Sequence, residues 1–74
     1  MIKQELLQEL SLDNIMTLDL AKVLEVSQVA VQYSIKRRSK KFIHDIRVVE
    51  FLKSKNFTDE QIFEKLPHHS LSNN

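Results

Sequence analysis

"TLDLAKVLEVSQVAVQYSIKRR", residues 17–38, holds two short apolar-periodic runs joined by Glu25-Val26-Ser27, and the second run ends in Lys36, Arg37 and Arg38. Thr17 and Ser27 each precede such a run, where a hydroxyl can accept a hydrogen bond from an orphan backbone N–H at a helix start. The spacing predicts a helix over residues 18–25, a tight corner, and a second helix over residues 28–38 that turns back across the first. On that second helix Ala30, Val31, Ser34 and Ile35 form the small or apolar side. Gln28, Gln32 and Lys36 recur every fourth residue on another side, flanked by Val29 and Tyr33.

Outward from this stretch the same 3.6-residue rhythm continues. Ile2, Leu6, Leu7 and Leu10 predict an amphipathic helix over residues 2–11, followed by a turn at Asp13 and Asn14. After the polar break Ser39-Lys40-Lys41, the residues Phe42, Ile43, Ile46, Val49 and Leu52 define a fourth helix to about Lys55, with Asn56 as its stop. Phe57-Thr58-Asp59-Glu60-Gln61-Ile62 pairs a capping box, Thr58 with Gln61, with a hydrophobic staple, Phe57 with Ile62, so a fifth helix starts there and ends before Pro67. Glycine is absent and Pro67 is the single proline, which removes the usual hairpin turns. The expectation is an all-α, five-helix domain over residues 1–66 with a flexible polar tail over residues 67–74.

A chain of 74 residues supports one core, because a domain this small buries only about 60% of its unfolded surface. The hydrophobic fraction of 42% and the charged fraction of 28% belong to an ordinary soluble globular protein. No apolar run approaches the roughly 20 residues of a membrane span, and residues 1–12 lack the pattern of a signal peptide, so a cytoplasmic location is expected. Without cysteine there is no disulfide framework or thiolate site, and packing, with self-association, has to supply stability.

The net charge of +1 conceals a division. Residues 1–25 carry Lys3 and Lys22 against Glu5, Glu9, Asp13, Asp19 and Glu25, a balance of −3. Residues 26–55 carry Lys36, Arg37, Arg38, Lys40, Lys41, Arg47, Lys53 and Lys55 against Asp45 and Glu50, a balance of +6. Localised positive charge is what a surface that meets phosphates requires.

Chemistry of other kinds finds little support. His44, His68 and His69 include no pair four apart on one helix, so no metal is expected. There is no Gly-rich phosphate loop and no recognisable Ser-His-Asp arrangement, and the chain is too small for a deep pocket. Neither an enzyme nor a cofactor or small-molecule substrate is expected. Gln28 and Gln32, by contrast, can bond bidentately to the N6 and N7 edge of adenine, Val29 can meet a thymine methyl, and the cations beyond can hold phosphates.

With these residues in place, the stretch from Thr17 to Lys36 resembles the helix-turn-helix of the phage Cro and lambda-repressor-like family. Ala21 falls at the family's small residue between the helices, Val26 at its apolar turn residue, and Leu20, Leu24, Val31 and Ile35 at or near its core positions. Glu25 stands where the family usually has glycine, so either a residue with a Cβ takes a left-handed conformation or the turn differs. The resemblance implies that Ser27, Gln28, Val29, Gln32 and Tyr33 read bases, and that Thr17 lies near the phosphate backbone. Lys36, Arg37, Arg38, Lys40 and Lys41 are expected to hold phosphates.

These readings converge on a double-stranded DNA-binding transcriptional regulator, a small phage or mobile-element repressor acting as a homodimer on a pseudo-palindromic operator. Phe51 projects opposite the centre of the fourth helix's apolar arc, nine residues beyond Phe42, so either the fifth helix covers it or it pairs with another subunit. Phe51, Phe57 and Phe63 are the candidates for a dimer surface. The competing expectation is a helical protein-interaction module, an antitoxin or phage adaptor, with Val29, Tyr33 and Phe51 as anchors and the basic run engaging an acidic protein.

Overall fold

The computed structural model describes residues 1–64, which form six helices and no extended sheet. α1 spans Gln4–Ser11, α2 Asn14–Leu24, α3 Gln28–Lys36, α4 Lys40–Ile43, α5 Ile46–Ser54 and α6 Asp59–Ile62. α1, α2 and α3 pack on one another, α5 closes against α2, and α4 and α6 cap α3 and α5 respectively. A single core results, drawn from Leu7 and Leu10 of α1, Leu20 and Leu24 of α2, Val31 and Ile35 of α3, and Val48, Phe51 and Leu52 of α5. None of these helices is long and apolar enough to cross a membrane.

Ile2 does not begin α1. It is extended and buried, forming an isolated antiparallel bridge with Phe63. Its N–H donates to the Ile43 carbonyl at 3.2 Å, while Lys3 N–H donates to Ile62 O at 2.7 Å and Glu64 N–H to Met1 O at 3.1 Å. The same pairing ends α6 at Ile62 and draws Phe63 into extended backbone, φ −102° and ψ 145°, short of the helix expected as far as Pro67. Tertiary bonds across the chain satisfy these backbone groups better than one more helical turn at either end.

α2 starts three residues before Thr17 because Asp13, not Thr17, is its N-cap. The Asp13 carboxylate accepts from the N–H groups of Ile15 and Met16, both at 3.0 Å. A carboxylate there satisfies two orphan donors and also complements the positive end of the helix. Ser27 caps α3 as expected, its Oγ accepting from Ala30 N–H at 3.0 Å. The capping box at α6 is complete: Thr58 Oγ1 accepts from Gln61 N–H at 3.3 Å and Gln61 Oε1 from Thr58 N–H at 2.8 Å.

The fourth helix expected up to Lys55 is two helices. His44 and Asp45 leave helical backbone, and the Asp45 carboxylate caps α5 by accepting from Arg47 N–H at 2.9 Å. This break rotates α5 relative to a continuous helix. Ile46 turns out to solvent, 63% exposed, whereas Phe51 turns into the core at 6%. Phe51 therefore packs within its own chain, and the expectation that it forms part of a dimer surface is corrected. Phe57 and Phe63 are half-buried against the same core.

Among the described residues three corners take the left-handed conformation, although the chain has no glycine: Glu25 at φ 59°, Arg38 at φ 54° and Asn56 at φ 74°. Each closes a Schellman motif. Val26 N–H donates to Ala21 O at 3.0 Å, Ser39 N–H to Ser34 O at 3.0 Å, and Phe57 N–H to Leu52 O at 3.2 Å. Asn tolerates this region, but Glu and Arg pay roughly 1–2 kcal/mol for the Cβ. Glu25→Gly is accordingly expected to stabilise the fold by about 1 kcal/mol, read as a rise in Tm of about 4–8 °C in thermal unfolding.

Candidate nucleic-acid interface

The corner between α2 and α3 is held from both sides. Glu25 supplies the left-handed turn, and Ala21, only 4% exposed, lets the two helices approach. Thr17 lies fully buried between them. Its hydroxyl donates back to the Asp13 and Asn14 carbonyls, at 3.0 and 3.1 Å, and accepts from the Gln28 amide at 2.8 Å. Gln28 Nε2 also reaches the Asn14 carbonyl at 3.4 Å. Thr17 and Gln28 thus form a polar latch across the corner, which fixes the angle at which α3 is presented. Thr17 is removed from the phosphate-binding set, since its hydroxyl is enclosed, and Gln28 is removed from the bidentate base readers, since its donor is committed.

Val31 and Ile35 anchor α3 in the core, 1% and 2% exposed. At about 100° per residue, Tyr33 stands opposite their midpoint, and Gln32 only about 80° from it. Exposure follows this angle: Val29 is 71% and Tyr33 60% exposed, whereas Gln28 and Gln32 are half-buried. Gln32 sits on a shoulder beside α1, in a groove it shares with Gln4, Gln8 and Lys36. The outermost face of α3 is therefore Val29, Tyr33, Lys36 and Arg37, with the amides to one side. Ser27 is exposed at the start of this face, but its hydroxyl already serves the helix cap.

The basic residues of 26–55 divide into two groups. Arg47 pairs with Asp45 at 2.8 Å, Lys53 with Asp59 at 3.2 Å and Lys55 with Asp19 at 3.4 Å. Lys36, Arg37, Arg38, Lys40 and Lys41 are all exposed and have no ion-pair partner among the described residues. Half-buried Ser39, at the centre of this run, turns inward to cap α4 by accepting from Phe42 N–H at 3.3 Å. Arg37 lies 5.4 Å from the centre of the Tyr33 ring, close enough for a cation–π contact that orders both side chains on the outer face.

Asp45 anchors the edge of this surface. The hydrogen-bonded Arg47 guanidinium holds its carboxyl below the usual carboxylate range, despite an opposing contribution from partial burial, and Lys41 adds to the lowering. A depressed folded-state pKa contributes stability that is complete above the unfolded value and is lost as pH falls through the folded one. Thermal unfolding between pH 5 and pH 2 should therefore show a larger fall in Tm for the parent than for Asp45→Asn, in which this linkage is absent.

Sequence periodicity located the stripe of amides but not the centre of the exposed face, which follows only once Val31 and Ile35 are taken as the anchors. His44 is exposed, and His68, His69 and the tail expected over residues 67–74 lie outside the described residues. Comparison of the chain with protein-family models, with curated proteins and with solved structures finds no match.

Proposed function

We propose that the protein is a double-stranded DNA-binding transcriptional regulator of the lambda-repressor-like helix-turn-helix type, a small phage or mobile-element repressor. In this reading α3 enters the major groove, and the flanking cations hold the phosphates on either side. The observation that carries it is the run of five exposed cations, without an ion-pair partner among the described residues, at and just beyond the C-terminal end of α3. Lys40 and Lys41 lie in the single turn of α4, both exposed and without an ion-pair partner among the described residues. A polyanion brought to this edge would gain from both lysines and from Lys36, Arg37 and Arg38 at the end of α3.

A homodimer would set two copies of α3 about 34 Å apart, which makes the expected operator a pseudo-palindrome. Selection from a random duplex library, repeated across a salt series, tests the proposal. The expected result is an enriched motif with two related half-sites, bound with an affinity that falls steeply as salt rises. Absence of duplex binding even at low salt would overturn it and favour the protein-interaction reading, for which exposed Val29 and Tyr33 are the available anchors.

A further inference from the structure

Resting on the DNA reading above, we infer that this protein recognises its target chiefly through the C5-methyl groups of thymine, contacted by Val29 and Tyr33, rather than through amide pairing to adenine. Three observations lead there. The Gln28 amide donates to Thr17 and Asn14 within the corner, so it cannot present both of its groups to a base. Gln32 is half-buried on the shoulder facing α1. Val29 and Tyr33 stand at the crest of α3, 71% and 60% exposed, where the helix would penetrate furthest.

The occupant of this apolar crest follows from its surroundings. Lys36 and Arg37 lie on the same face, Arg38 lines the groove on the α1 side and Lys41 the groove on the α4 side, so cations flank the crest and a partner that meets them is polyanionic and yet offers apolar groups at its centre. The major groove of thymine-containing duplex does both, because the C5-methyl is its only apolar feature among the base edges. Val29 and Tyr33 are one turn apart, about 6 Å along the axis, which matches roughly two base steps. Arg37 against the Tyr33 ring holds the phenol ready for such a contact.

The test replaces thymine by deoxyuridine, which deletes the methyl and leaves every hydrogen-bonding group in place. In the duplex selected from the library, substitution at each contacted thymine should weaken binding about fourfold, the effect of one buried methyl. Val29→Ala should abolish that sensitivity at one position per half-site and Tyr33→Ala at another, whereas Tyr33→Phe should retain it. Both side chains are exposed, so the variants should keep the parent's Tm. If the parent binds its selected duplex and tolerates uracil at every thymine without loss, methyl recognition is overturned and the DNA reading stands. If the parent binds no duplex, both fall.

Discussion

Neutralising the basic edge, by Arg37→Gln, Arg38→Gln, Lys40→Gln and Lys41→Gln together, is expected to lower DNA affinity about 10³-fold near 0.1 M salt and to leave the fold intact. The size follows from counterion release: each phosphate contact contributes about 0.9 to the slope of log affinity against log salt, so four contacts amount to about 3.6. The four side chains are exposed and unpaired among the described residues, so no partner loses its ion pair when they change. The loss should be nearly equal for target and random duplexes, because phosphates carry no sequence. Fluorescence anisotropy across a salt series measures both quantities. A variant that binds as tightly as the parent, with an unchanged slope, would show that the phosphates are held elsewhere.

Leu20→Ala should be the most damaging single change to the fold. Leu20 is fully buried in α2, in the core shared with the other helices. Removing a buried leucine side chain costs about 3 kcal/mol through lost transfer energy and the cavity left behind. The total stability expected of 74 residues is only about 4–11 kcal/mol. Tm should fall by more than about 10 °C, measured by circular dichroism. A fall of under about 3 °C would mean that the core repacks freely around the site. Binding should fail in parallel with unfolding, which distinguishes this variant from the charge variant, whose folding and binding separate.

What could be read in advance was what depends on neighbours a few residues apart. Ser27 and Thr58 caps, the stop at Asn56 and the start of α3 at Gln28 all rest on signals of that range, and each is found at its expected place. The break at Asp45 was also written locally, in a strong capping residue, but the apolar spacing of Phe42, Ile43, Ile46 and Val49 fits one continuous helix equally well. Only the core decides between them, because the break brings Val48 and Phe51 inward at the cost of Ile46. Asp13 and Thr17 likewise compete as caps within one turn; Asp13 takes the role with the Ile15 and Met16 N–H groups, and Thr17 lies inside the helix, its hydroxyl accepting from Gln28 eleven residues away.

At the candidate interface the same division holds. The cluster of cations and the helix that leads into it are visible in the order of residues. Which of those cations remain unpaired, and which side of α3 faces outward, depends on distant partners such as Asp19, Asp59 and α1.

The pairing of Met1 and Lys3 with Glu64 and Ile62 has a consequence for how the molecule is made. Ile2 can bond to Ile43 once α4 is made, but Met1 and Lys3 must wait for their partners until residues 62–64 have been synthesised. The helical pair and its corner can assemble earlier, since their contacts are near in sequence, but the seam cannot. Closure of this seam should therefore follow assembly of the helical pair, and chains halted before residue 62 should keep residues 1–3 more open to proteolysis than the full sequence does.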